Sequence, residues 1–380
     1  MHQMALRRHP AVLAAEAQVK EAAARNPVSG RLPNPEFESR LMFKDGSRTV
    51  FEGALMLSLP LSGRLGAANR VADIDLALAE AALSQARKQA ENELGSILVR
   101  LEGARTKLAL HEELAARSAE YAELARNRLS ASLADPLDVS LVLADAASDK
   151  RALTRSRLEV VQIEEELLLL IGLNAPHLII RTPVIEAVEI CSDKESLVAM
   201  AQQHSELLLR ARLEYQRAEW ESALASRARI PDLRLGPAFN VGKEETEAGF
   251  AFSLPLPIFD TGASEYKASL AHRGVAFSAL EFEVRSVNSR ISMALNRLAA
   301  LDAALEDLLG EVGASASEAF DLAEGRYFAG QTDVLRLLSA HRTHASVQLE
   351  IIELKVARHE VVLELESVIG CPLHDKRHQH

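Results

Sequence analysis

Residues 54–66 read ALMLSLPLSGRLG, and residues 249–262 read GFAFSLPLPIFDTG. Each is an alternating apolar run that reaches the tetrapeptide SLPL and then opens a long helical pattern. Ser58 and Ser253 stand 195 residues apart. The same spacing separates His9 from His204, each placed before a helical run, and Asp138-Val139 from Asp333-Val334. Leu170-Ile171-Gly172 returns as Val368-Ile369-Gly370, displaced by 198 residues. Landmarks that recur in one order indicate an internal duplication. A period this long exceeds any solenoid unit and points to two related halves.

Each half follows one plan. The first, residues 1–173, reads as a helix, a β-hairpin at 33–61, and long helices at 66–129 and 138–171. Residues 174–195 read as a connector, where Ser192 and Glu195 have the spacing of a capping box. The second half, 196–370, repeats the plan with a helix to about 228, a hairpin at 231–258, and long helices at 262–328 and 333–369. Residues 371–380 read as a flexible, His-rich tail.

The long helices carry heptads. Leu94, Leu101, Leu108, Ala115, Ala122 and Leu129 are seven apart, as are Val284, Ile291, Leu298, Leu305 and Val312. The returning helices show Ala146, Leu153, Val160 and Leu167, then Val347, Leu354, Val361 and Val368. Seven-residue periodicity implies left-handed, coiled-coil-like packing. A helix of about 60 residues is roughly 90 Å long, more than a compact globule uses. Composition agrees: of the 380 residues 48% are apolar but only 4% aromatic, the mixture of long helices with narrow seams.

The hairpins carry period two. Phe37, Ser39, Leu41 and Phe43 alternate with Glu36, Glu38, Arg40, Met42 and Lys44, and Asp45-Gly46 is a turn signal. Phe51, Gly53, Leu55, Leu57 and Leu59 continue one face on the return. In the second half Leu233, Leu235, Pro237, Phe239 and Val241, then Phe250, Phe252, Leu254, Leu256 and Ile258, repeat it. Strands of about 9–12 residues have the length that crosses a bilayer when tilted. The alternation alone fits a soluble hairpin packed on helices equally well. Four strands, however, leave their edges open, whereas three copies would supply twelve strands and close. Pro237 is then expected at an edge or a bulge. Pro60 and Pro255 are expected to end the ladders, with Gly63 and Gly262 turning the chain into the helices.

The charge of −11 and the absence of a basic block exclude nucleic acid as a partner. Cys191 and Cys371 form no CxxC pair and read as ordinary thiols. No stretch of about 18 apolar residues encodes a membrane-spanning helix. No Ser/His/Asp, paired-carboxylate or phosphate-loop pattern is present, so neither an enzyme nor a cofactor is expected.

HPAVLAAEAQV and NPEFES in the first half, the SLPL junctions, RYFAGQTDVLRLLSAHRT at 326–343 and the terminal Ile-Gly of each half resemble the TolC-like outer-membrane efflux protein family. The NPE start and short hairpins look most like its heavy-metal efflux branch, of the CzcC/CusC type. The resemblance covers nearly the whole chain. It implies a homotrimer with a twelve-stranded barrel in outer-membrane lipid and a periplasmic α-helical barrel. It also implies substrates, metal ions or drugs, handed on by a periplasmic adaptor and an inner-membrane pump of a Gram-negative cell. A periplasmic adaptor or a soluble coiled-coil scaffold is the alternative. Residues 1–18 lack the apolar core of an export signal, so an exported form is expected either to be mature or trimmed or to start upstream of Met1.

The resemblance places the channel's constriction at the turns 130–139 and 329–334. Asp138 and Asp333 match the family's turn-following Asp, Asp135 lies beside them, and Tyr327 and Gly330 belong to the Arg-Tyr-x-x-Gly segment. Rings of these carboxylates would favour cations. Asp138 and Asp333 equally suit helix caps. Arg336 stands where the family suggests a second acid. His341 and His344, at i and i+3, are the candidate metal ligands, although a pair without a third ligand is more often a solvated face.

Overall fold

The computed structural model describes residues 9–44, 48–171, 193–242 and 246–373. In chain order the elements are α1 (Pro10–Ser29), β1 (Glu36–Lys44), β2 (Arg48–Leu59), α2 (Arg64–Ser130) and α3 (Pro136–Ile171). Then come α4 (Lys194–His204), α5 (Glu206–Ala228), β3 (Leu233–Val241), β4 (Thr246–Ser253), α6 (Ala263–Leu309), α7 (Glu311–Phe328) and α8 (Val334–Ile369). The chain divides into two compact units. One gathers Met1–Val12, Arg87–Ser205 and Val287–His380; the other gathers Leu13–Ala86 and Glu206–Ser286. The expected turn Asp45-Gly46, Cys191, Ser192 and most of the connector and tail lie outside the described residues.

In the second unit the two hairpins join into one antiparallel sheet of order β1-β2-β3-β4. The register keeps one side apolar. Phe37 faces Leu55, Leu41 faces Phe51, Leu57 faces Leu235, and Leu235 faces Phe252. The other side pairs Arg40 with Glu52, Glu52 with Asn240, and Asn240 with Glu247. Arg234 bridges there to Glu36, and to Glu38 at 3.2 Å. Because residues two apart share a face, these pairs extend one apolar surface across all four strands.

Pro237 is neither at an edge nor at a bulge. It lies inside β3, an inner strand, opposite Phe250 of β4. Ladder pairing to β2 lapses beside it, between Ala54↔Ala238 and Leu57↔Leu235, with no residue gained on either strand. A residue without an N–H is accommodated by omitting hydrogen bonds rather than by shifting register. The two SLPL copies also differ. β2 runs to Leu59 and stops at Pro60, whereas β4 stops at Ser253, before Pro255. Leu254, Leu256 and Ile258 therefore fall outside the strand, consistent with a second proline, Pro257, in that copy. Around the sheet, α5 packs on α2 through Arg217–Asp75 (2.5 Å) and Arg210–Gln85 (2.9 Å), and on α6 through Tyr215 and Phe277.

The first unit is helical. Leu94, Ile97, Leu101 and Ala104 of α2 interlock with Val160, Ile163, Leu167 and Ile171 of α3, as heptads require. Val347 and Ile351 of α8 close with Leu305 and Ala316.

Two expected helices are broken. The helix from 196 to 228 is split at Ser205, which is extended (φ −70°, ψ 118°) and buried. Gly370, the left-handed cap of α8, packs against the His204 carbonyl so closely that a Cβ there would lie 2.1 Å away. The break makes room for that arrival. The helix from 262 to 328 is split at Gly310 (ψ −123°). The seam of α6 ends at Leu305, and Val312 beyond the break is exposed. Leu129, the last heptad residue of α2, is also exposed.

Candidate functional site

The turns α2–α3 and α7–α8 share one core within the first unit. Tyr121, Ala122 and Ala125 of α2 meet Val139 and Val142 of α3, Phe320 and Tyr327 of α7, and Val334, Leu337 and Leu338 of α8. Around this apolar knot sit the carboxylates expected at a constriction.

Asp135, rather than Asp138, occupies the cap position of α3. Its Oδ1 accepts from the Leu137 N–H at 2.9 Å, and Pro136 takes the first helical position, where a missing N–H costs nothing. Asp138 lies in the first turn of the helix, where a carboxylate complements the N-terminal dipole. Burial, then the charges of Asp333 and Asp135, push its carboxyl above the usual range. Asp333 caps α8, accepting from Leu335 N–H at 3.5 Å. The three carboxylates thus stand close enough to feel one another. Gly330 takes φ +73° in the α7–α8 turn and donates to the Tyr327 carbonyl at 3.0 Å.

Tyr327 is buried in the core rather than presented to solvent. Burial raises its hydroxyl pKa, Arg128 opposes that, and Asp138 adds to it. The Arg128 guanidinium lies 4.7 Å from the Tyr327 ring centroid and donates to the carbonyls of Tyr327 (2.8 Å) and Phe328 (3.2 Å). The last turn of α2 is thereby fastened to the last turn of α7. Of the strand-to-helix residues, Pro60 directly follows β2, and Gly63 (φ +70°) precedes α2. Pro255 follows β4 by two residues, and Gly262 (φ +65°) precedes α6.

The two histidines part company. His344 stacks on Phe320, with centroids 5.1 Å apart and planes at 14°. His341 is fully buried, with Nε2 at 3.2 Å from Asp149 Oδ2 and 3.4 Å from Ser118 Oγ. Ser118 also donates to Asp149. Burial raises the Asp149 carboxyl pKa, but hydrogen bonds from His341 and Ser118 outweigh it, and the carboxyl titrates below the usual range. Ser118 and Asp149 both approach the same imidazole nitrogen. A catalytic relay would need them on opposite nitrogens. Beside this trio Asp145, also buried, holds Arg342 at 2.6 Å, and Tyr121 donates to Glu324.

Arg128, Asp145 and Asp149 were not among the residues singled out from the sequence. Asp149 does fall seven residues after the buried Val142, and Arg128 sits in the basic last turn of α2. A charge on an apolar seam is the signal that marks such a site.

Residues 197–371 match the model of the outer membrane efflux protein family. The cobalt-zinc-cadmium resistance protein CzcC of Cupriavidus metallidurans is 22% identical over 351 residues, spanning 89% of this chain and 81% of that protein. The outer-membrane channel OprN superposes with TM-score 0.84 at 18% identity, covering 98% of this chain and 89% of its own. The outer membrane protein VceC of Vibrio cholerae gives TM-score 0.79 at 17% identity, over 98% and 96% of the two chains. The second half of the chain thus matches the outer membrane efflux protein family, and nearly its whole length shares the fold of these channels.

Proposed function

We propose that three copies of this chain close their sheets into one twelve-stranded barrel in the outer membrane of a Gram-negative cell, with the long helices forming a periplasmic tunnel. In this reading the chain is two structural repeats, 1–173 and 196–370, joined by 174–195. The assembly passes small cations or drugs, delivered by an inner-membrane pump and a periplasmic adaptor. One observation carries it: a four-stranded sheet with both outer edges open and one continuous apolar face turned to solvent. Phe250 and Phe252 on the edge strand are 85% and 83% exposed, and Phe37 and Leu41 on the opposite edge strand 59% and 54%. A soluble monomer rarely leaves such a surface and such edges uncovered. Lipid covers the one and closure removes the other. No helix among the described residues is long and apolar enough to cross a membrane. The name of CzcC supports divalent metals as the cargo class.

Sizing of the protein in detergent by native mass spectrometry tests the assembly. Three chains of 41.4 kDa are expected in one particle. A monomer that stays soluble without detergent would sink the reading.

The carboxylates make a separate prediction. In planar bilayers the wild-type pore is expected to prefer cations, and Asp138→Asn with Asp333→Asn to lower the cation-to-anion permeability ratio about fivefold. That is the effect of removing about 1 kcal/mol of favourable potential at the constriction. An unchanged ratio would leave these residues as helix-start residues only.

A further inference from the structure

We propose that Asp145, Asp149 and His341 form a binding site for one divalent transition-metal ion of the zinc or cobalt class. The site stands on its own side chains and does not depend on the channel reading. One ligand atom from each residue lies within 4.8 Å of the others. Bonds of about 2.0–2.2 Å place neighbouring ligands roughly 3–3.5 Å apart, so a small closure of the trio encloses an ion. His341 Nε2 and Asp149 Oδ2 already have that spacing, at 3.2 Å.

A second observation points the same way. Asp145 Oδ2 is buried without a hydrogen-bond partner, in a residue only 4% exposed. A buried carboxylate oxygen lacking any donor costs free energy that a cation would recover. The surrounding contacts are those of ligands held in place. Arg342 grips the other oxygen of Asp145, at 2.8 Å from Nε, and leaves Oδ2 free. Ser118 orients Asp149 and touches His341. Such outer contacts fix ligand geometry around metals. Two carboxylates and one guanidinium sum to a net negative charge that a dication reverses. Nitrogen and oxygen ligands without sulfur suit zinc or cobalt, with water completing the shell.

The ligands come from different helical pairs: Asp145 and Asp149 from α3, His341 from α8. A bound ion would therefore pin α3 to α8 a few turns above the helix turns.

The test uses full-length protein in detergent, stripped by chelator and titrated with Co²⁺, followed by visible d–d absorption and by calorimetry. His374, His378 and His380 are replaced by Gln throughout, so the tail contributes no imidazole. One Co²⁺ per chain is expected, displaced by Zn²⁺. Asp145→Asn and Asp149→Asn, which keep side-chain volume, are each expected to weaken binding at least about tenfold, with His341→Ala abolishing it. His344→Ala is expected to bind as the parent does. Circular dichroism of each metal-free variant separates lost ligation from lost folding, and if His341→Ala does not fold the two Asn variants decide. Absence of stoichiometric Co²⁺ binding in the folded parent, or undiminished binding in both Asn variants, would overturn the site.

Discussion

Gly236→Ala is expected to abolish assembly of the sheet. A Cβ at this position would sit 1.7 Å from the Leu55 carbonyl oxygen and 2.9 Å from its carbon. Those atoms are backbone of β2, which cannot swing aside as a side chain can. The only relief is to part β2 from β3, the one junction that joins the two hairpins. Pairing there is already interrupted beside Pro237, so few hydrogen bonds remain to resist the separation. A loss on the order of 3–5 kcal/mol follows, in the range of the severest single substitutions. In the proposed trimer the same seam occurs three times, which multiplies the effect. The readout is the detergent-resistant trimer on an unheated gel, with the fraction recovered in the membrane. Gly249→Ala is the control, because a Cβ there meets nothing within 4 Å. Normal trimer from Gly236→Ala would show that β2 and β3 do not approach as described.

The sheet's two faces were readable because alternation is a local property. Period two assigned Phe37, Leu55, Leu235 and Phe252 to one side, and the register puts them there. The pairing of β2 with β3 was not readable, since Leu57 and Leu235 lie 178 residues apart and no local pattern names a distant strand's partner. Pro237 was misplaced for the same reason: its own missing N–H was visible, but not the lapse in its neighbour's ladder. The helix breaks followed suit. Ser205 is a favoured helix start and His204 stands before a helical run, but the approach of Gly370 from the far end of the chain was not readable. At the turns, Asp135-Pro136 is a strong helix start, yet the 195-residue match to Asp333 drew attention to Asp138. His341 stood out beside His344 by spacing, whereas its contacts come from α2 and α3. Periodicity identifies faces and seams. What crosses between seams depends on packing that the linear order does not carry.

Arg128→Ala is expected to raise the resting conductance of the proposed channel at least about tenfold. Arg128 supplies what the end of α7 lacks, because the last carbonyls of any helix have no partner within it. Its two bonds to the Tyr327 and Phe328 carbonyls put positive charge at the negative end of that helix, and its guanidinium covers the Tyr327 ring. Removing it leaves Tyr327 and its neighbours held to α2 by apolar packing, with the Gly330 N–H still on the Tyr327 carbonyl. Charged hydrogen bonds of this type contribute about 1.5–3 kcal/mol, less where water competes, and Arg128 is half-exposed. A net 1.4 kcal/mol is a tenfold change in the balance between fastened and released turns. Lysine retains the charge but reaches two carbonyls and a ring face less well, so Arg128→Lys should fall between the two. Arg126, exposed in the same turn of α2, provides the charge control: Arg126→Ala removes a cation without touching α7. Single-channel recording reads conductance, and the unheated gel confirms that the trimer persists. Equal conductance in Arg128→Ala and wild type would mean that this contact fastens the turns without governing flow. Equal increases in Arg128→Ala and Arg126→Ala would assign the effect to net charge at the mouth.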